Sequence, residues 1–155
     1  MDTLDLASWI VGFVDGEGCF QVSFTHREKL QTNIEVRASF SVSQNSRSKS
    51  SLLKIEEFFG CGSLRYSQKD DTFIYEVRNL DDLYTKILPF FRSYGLLTYK
   101  KKDFDSWATI VFKIKQGHHL NKTGLKEIIE NAYTMNSKGF GRKYKKDDLL
   151  QFLES

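Results

Sequence analysis

Residues 9–18 read Trp-Ile-Val-Gly-Phe-Val-Asp-Gly-Glu-Gly, a nearly unbroken apolar run that closes on two acids interleaved with glycines. The run is too short for periodicity to choose between helix and strand. Asp5 or Thr3 upstream offers a helix N-cap and Gly16 and Gly18 offer a stop, so the stretch predicts a short helix over 8–14, buried on several sides. Gly12 and Gly16 are four apart and share one helical face, where missing side chains let a second helix backbone come close.

Beyond this run period-two alternation takes over. Phe20, Val22 and Phe24 alternate with Gln21, Ser23 and Thr25. After a polar stretch from His26 to Asn33, Ile34, Val36, Ala38, Phe40 and Val42 alternate with Glu35, Arg37, Ser39, Ser41 and Ser43. Each pattern marks a strand with one buried face, and together they predict an antiparallel hairpin. Leu52, Leu53, Ile55, Phe58 and Phe59 then recur at helical spacing over 50–59, with Gly60 as the stop. A second hairpin is predicted over 63–67 and 72–78, with Phe73, Tyr75 and Val77 on one face. Asp81 and Asp82 suit the N-terminal end of a helix carrying Leu83, Ile87 and Leu88, which Pro89 is expected to bend or end. Further helices are predicted over 101–115, over 123–136 and around Leu149 to Leu153. The order α, β, β, α, β, β, α, then more helices, describes an α+β fold with one four-stranded antiparallel sheet and its helices on one face.

Such a sheet leaves its other face open. Gln21, Ser23, Thr25, Glu35, Arg37, Ser39, Ser41, Arg65, Ser67, Glu76 and Arg78 would lie there, rich in hydrogen-bonding groups and poor in aliphatic ones. An ordinary solvated face and a face that reads a polar partner both satisfy this pattern.

A length of 155 residues gives room for one ordinary core, and residues 1–155 are read as a single domain. With 40% hydrophobic and 28% charged residues the chain is neither disordered nor membrane-embedded in type, and no segment reaches the roughly 18 apolar residues of a membrane span. The start MDTLDLASW lacks the pattern of a secretory signal, and Cys19 and Cys61 have neither zinc-ligand spacing nor a disulfide framework, so export is not expected. A net charge of +3 is too small to name a nucleic-acid partner, but Lys and Arg gather over 92–102 and 138–146 as local basic patches.

The run Trp9 to Gly18 resembles the signature of the LAGLIDADG homing endonucleases. Ile10, Gly12, Phe13, Val14, Asp15, Gly16, Glu17 and Gly18 fit its pattern, and Val11 departs from the usual alanine. SFSVSQ at 39–44, LPFF at 88–91 and KKKDF at 100–104 are similar to other segments of that family. The order of elements matches the family's αββαββα core.

The resemblance implies a site-specific endonuclease that hydrolyses phosphodiester bonds of double-stranded DNA at a long, partly palindromic intron-homing target. With one copy of the motif, it implies a homodimer packed through Trp9, Val11, Gly12, Asp15 and Gly16. Glu17, where the family more often has aspartate, would bind a divalent cation with the Gly16 carbonyl, Mg2+ by preference, with Mn2+ or Ca2+ able to take its place. Gln44 would orient solvent near the metal and Lys100 would stabilise charge, although Lys101 and Lys102 adjoin it and spacing alone does not choose among the three. Asp15 is expected to cap backbone groups rather than bind metal. The open faces of two sheets would form a saddle along the major groove, with Arg37, Arg65 and Arg78 suited to guanine, Gln21 to adenine, and Glu35 or Glu76 to cytosine. Lys100 to Lys102 and Arg142 to Lys146 would hold phosphates. The alternative on the same fold is a maturase that binds intron RNA, with or without DNA cleavage. The resemblance also implies encoding within an intron of a mitochondrion or chloroplast.

Overall fold

Asp2 starts the first helix. Its carboxylate accepts a hydrogen bond from the Asp5 N–H at 2.9 Å, so it takes the capping role expected of Asp5 or Thr3. The structure, a computed structural model, describes residues 2–136 and 142–155. Helix α1 spans Thr3–Glu17, longer at both ends than the sequence predicts, and Gly16 lies inside it. Glycine in a last turn costs only about 1 kcal/mol against alanine, and fully buried Ile10 and Val14 outweigh that. Gly18 forms the C-cap, its N–H donating to Val14 O.

Strand β1 (Gly18–His26) follows at once, and β2 (Ile34–Asn45) runs to twelve residues. The extra length has a pairing reason: in the sheet order β1-β2-β4-β3 the strand serves two neighbours. Its second part pairs antiparallel with β4 (Thr72–Val77) from Phe40↔Val77 to Asn45↔Thr72, although its apolar alternation stops at Val42. Helix α2 (Lys49–Phe59) ends at Gly60 with φ 65°, a left-handed C-cap. Strand β3 (Ser63–Ser67) pairs antiparallel with β4.

Pro89 does not end the helix that precedes it. Helix α3 (Leu80–Asp82), a π-helical turn (Leu83–Ile87) and α4 (Leu88–Ser93) follow without a break. The wider π turn, in which the Leu88 N–H reaches back to Leu83 O, makes room for a ring that lacks an N–H and would crowd a carbonyl one turn earlier. Pro89 then occupies the first turn of α4. Helices α5 (Lys100–Lys115), α6 (Lys122–Ala132) and α7 (Lys146–Glu154) complete the chain, and α6 stops short of the predicted 136.

The residues form two compact units. One comprises Met1–Phe20 and Ser39–Lys101, the other Gln21–Ala38 and Lys102–Ser155. In the first, Phe20, Phe40, Tyr75, Phe91 and the apolar face of α2 form the core. In the second, Val22, Phe24, Ile34 and Val36 lie buried with Trp107, Val111, Leu125 and Ile129. In β1 and β2 the buried residues are those the alternation assigns inward, and Gln21, Ser23 and Arg37 are exposed. No described helix is long and apolar enough to cross a membrane.

Candidate active site

The end of α1 is fixed from one side by Asp15. Its carboxylate accepts from the Leu97 N–H at 2.8 Å, the Thr98 N–H at 3.1 Å and the Thr98 hydroxyl at 2.5 Å. Burial pushes the Asp15 carboxyl up, but the Thr98 and Leu97 hydrogen bonds and the charge of Lys100 outweigh it and hold the group below the usual carboxylate value. The Thr98 hydroxyl also accepts from the Lys100 N–H at 3.2 Å. The Lys100 ammonium then reaches back and donates to Gly18 O. Cation and helix end suit each other, because the last turn of a helix carries the negative end of its dipole.

Glu17, between Asp15 and Gly18, has an exposed side chain. Lys100 is therefore set apart from Lys101 and Lys102 by a contact: it is bonded to the residue that follows Glu17. Gln44 is half-buried, opposite Phe73 in the β2–β4 ladder, and among the described residues no hydrogen bond joins it to Glu17 or Lys100. Among the described residues no three His, Cys, Asp or Glu side chains cluster. The donors at the helix end are the exposed Glu17 carboxylate and the last helix carbonyls, which lack intrahelical partners. These are hard oxygens that suit Mg2+, an ion that completes its shell with water and phosphate oxygens.

The two glycines of this helix and the one at its C-cap differ in what surrounds them. A Cβ on Gly18 would lie 2.5 Å from Val14 Cγ1 and 2.8 Å from Val14 O, so the turn into β1 itself requires glycine. A Cβ on Gly12 or Gly16 would meet nothing within 4 Å, and both residues are exposed. Trp9 and Val11 are half-buried, and the Trp9 ring lies 5.1 Å from that of Phe13, which is half-buried as well.

The polar sheet face is ordered in rows. Ser41, Glu76 and Ser63 lie side by side across β2, β4 and β3, as do Ser43, Ile74 and Arg65, then Asn45, Thr72 and Ser67. Ser43, Ser63 and Ile74, which alternation puts on the same faces as Ser41, Arg65 and Glu76, extend the polar set expected there. Ser39 is half-buried, Arg65 is exposed, and Arg78 approaches Glu76 at 3.9 Å. In the other unit Gln21 and Ser23 are exposed, Thr25 is half-buried, and Glu35 binds both Arg27 and Arg37. Arg37 first, then Arg27, holds the Glu35 carboxyl below its usual value against the opposing effect of burial.

The expected phosphate patch at 142–146 is altered by the fold. Arg142 is half-buried and donates to Val22 O and, at 2.8 Å, to Ala132 O, while Lys146 pairs with Glu130 at 3.0 Å. Lys143 and Lys145 remain exposed, and Lys138 lies outside the described residues. Near the start of α2, Arg47 bonds Asn45 at 3.2 Å and the Lys49 ammonium lies 4.6 Å over the Phe73 ring.

The sequence pattern of the LAGLIDADG endonuclease family matches residues 10–111. A probable intron-encoded endonuclease of Neurospora crassa is 30% identical over 130 residues, which cover 83% of this chain and 29% of that protein. The chain thus spans less than half the length of such curated relatives. The crystal structure of the homing endonuclease I-TnaI superposes with a TM-score of 0.82 at 34% identity, covering 96% of this chain and 95% of that one. I-LtrWI, a LAGLIDADG homing endonuclease bound to target DNA, gives 0.85 at 32% identity over 87% of this chain and 46% of that one.

Proposed function

The chain belongs to the LAGLIDADG endonuclease family, and from that premise we propose that it cleaves double-stranded DNA at a specific site as a divalent-metal-dependent homodimer joined through α1. The observation that carries this reading is the contrast between the two glycines of α1 and the glycine of its C-cap. Gly18 is needed by its own chain, whereas Gly12 and Gly16 leave an open strip that no described residue fills, running up to the exposed carboxylate of Glu17. A second copy of the helix laid on that strip brings two Glu17 carboxylates to neighbouring positions.

In this mechanism Glu17 and the Gly16 carbonyl would hold the divalent cation. A bound divalent cation supplies charge neutralisation at the phosphate and a more acidic water. Asp15 contributes no ligand, since its oxygens are engaged by Leu97 and Thr98; it fixes the helix end from which Glu17 projects. Lys100, anchored on Gly18 O, keeps a positive charge beside the same position and offsets the charge that builds on the phosphate oxygens. Gln44 serves as a solvent-orienting group at the margin. The polar rows of the sheet lie in the major groove and read bases. Encoding within an organellar intron is part of the same proposal, supported by the intron-encoded relative.

The test is cleavage of a supercoiled plasmid library carrying random duplex inserts, with Mg2+ or EDTA, by wild type and Glu17→Gln. Site-specific linearisation that needs Mg2+ and disappears in the variant is the expected result. Retention of an intron transcript with no scission of any DNA would instead select the maturase reading.

A further inference from the structure

Arg27 and Arg37 share one carboxylate. Arg27 Nε donates to Glu35 Oε2 at 2.8 Å and Arg37 Nε donates to Glu35 Oε1, while the two arginine side chains stay 57% and 58% exposed. Each guanidinium meets Glu35 through its Nε–H, which leaves its terminal Nη1 and Nη2 groups for another partner. Among the described residues no other partner engages either group.

The carrier of this cluster is held firmly. The Arg27 N–H donates to Asn33 O at 2.7 Å, which extends the β1–β2 ladder one pair into the connection. Asn33, with φ 64°, donates its side-chain amide to Phe152 O at 3.0 Å. The His26 ring stacks on the Phe152 ring at 4.0 Å with planes 4° apart. Thr32, buried, donates its hydroxyl to Ile34 O at 3.2 Å. The hairpin end is thus pinned to α7, while Glu35 and Arg37 face opposite to buried Ile34, Val36 and Ala38.

We infer that Arg27 and Arg37 are a paired guanine-reading element of the DNA interface and that Glu35 is their positioning residue rather than a reader of cytosine. The inference rests on the DNA-binding reading above and adds Arg27, which lies outside the regular strand pattern. Two arguments favour base edges over phosphates. A carboxylate between two guanidinium groups cancels one of their charges, which weakens attraction for a phosphate but not for the neutral guanine edge. What guanine requires is two parallel N–H donors at a fixed angle to O6 and N7, and a planar fork braced at Nε on a rigid hairpin supplies them.

The experiment is selection of bound sequences from a random duplex DNA library by wild type, Arg27→Ala, Arg37→Ala, Arg37→Lys and Glu35→Gln. Thermal melts confirm that each variant is folded. Wild type should enrich guanine at two positions of each half-site, and each Arg→Ala change should remove roughly 5- to 100-fold of preference at one of them. Arg37→Lys should lose the same preference while keeping overall affinity, since lysine has the charge without the fork. Glu35→Gln should weaken preference at both positions while overall affinity holds or rises. Three results overturn the inference alone: uniform loss of affinity in the arginine variants with base preferences intact, loss of a cytosine preference only in Glu35→Gln, or no change in any of them. A wild type that enriches no duplex sequence overturns the DNA-binding reading and this inference together.

Discussion

Asp15 accepts both a backbone and a side-chain hydrogen bond from Thr98, and Thr98 in turn receives the Lys100 N–H, so one threonine fastens the end of α1 to the start of α5. The acid that precedes the proposed metal-binding Glu17 is therefore a fastener. Asp15→Ala should lower stability by about 1–2 kcal/mol. Thr98→Val should cost a similar amount, and the double variant less than the sum because the two share a bond. The pH dependence has a definite sign. A carboxyl held below its usual value contributes in full above the ordinary carboxylate pKa and loses that contribution as pH falls through the folded-state value. Urea unfolding at neutral pH and near pH 3 should show the gap between wild type and Asp15→Ala closing at the acidic end. A gap that stays constant would remove the charged hydrogen bonds as its cause.

Gly12 separates folding from assembly. A Cβ there meets nothing within 4 Å, so Gly12→Ala should leave the folded chain as stable or raise its stability by up to about 1 kcal/mol, alanine being the better helix former. Gly12→Phe places a ring where a second helix backbone must approach. It should give a folded monomer by sedimentation, with DNA scission reduced by roughly a hundredfold or more, on the order expected when a catalytic geometry is displaced. A dimer that survives Gly12→Phe would place the interface elsewhere.

Lys100 should be distinguishable from the two lysines beside it. Lys100→Met removes the ammonium bonded to Gly18 O and should slow scission by roughly 10- to 1,000-fold while binding of target DNA changes little. Lys101→Met and Lys102→Met should leave the cleavage rate within about threefold and reduce the salt dependence of binding by about one unit each. Single-turnover cleavage and salt-titrated binding on one duplex make the comparison. Equal losses from all three would reduce Lys100 to a phosphate contact.

The elements that carry strict alternation or helical spacing were legible in the sequence because one burial pattern dominates each. Helix α2 and the inward residues of β1 and β2 follow it, whereas in β3 Leu64 is only half-buried and Tyr66 is exposed. What the pattern does not carry is pairing and connection. β2 continues past Val42 because β4 is there to bond it, and α4 continues past Pro89 because the π turn relieves the ring. Within the site, the motif pointed to Glu17 and to a capping role for Asp15. Thr98, Arg27 and the anchoring of Lys100 depend on contacts between residues far apart in sequence, and no local spacing encodes them.

Arg142 shows the cost of reading a basic run as a surface. Its guanidinium donates to Val22 O and Ala132 O, lies 4.9 Å over the Tyr133 ring and 5.9 Å over that of Phe24, and leaves Nε buried with no partner among the described residues. Arg142→Met removes the donors from two carbonyls and empties the space between the rings, so it should destabilise the protein by about 2–4 kcal/mol. Arg142→Lys should recover only part of this, because a single ammonium cannot serve both carbonyls and stack as a plane. If Arg142 were a phosphate contact the pattern would reverse: melting would be unchanged and the salt dependence of DNA binding would fall by about one unit for Met and stay put for Lys. Melting temperature and salt-titrated binding measured on the same two variants therefore decide between a buried brace and a backbone clamp, and the geometry predicts the brace.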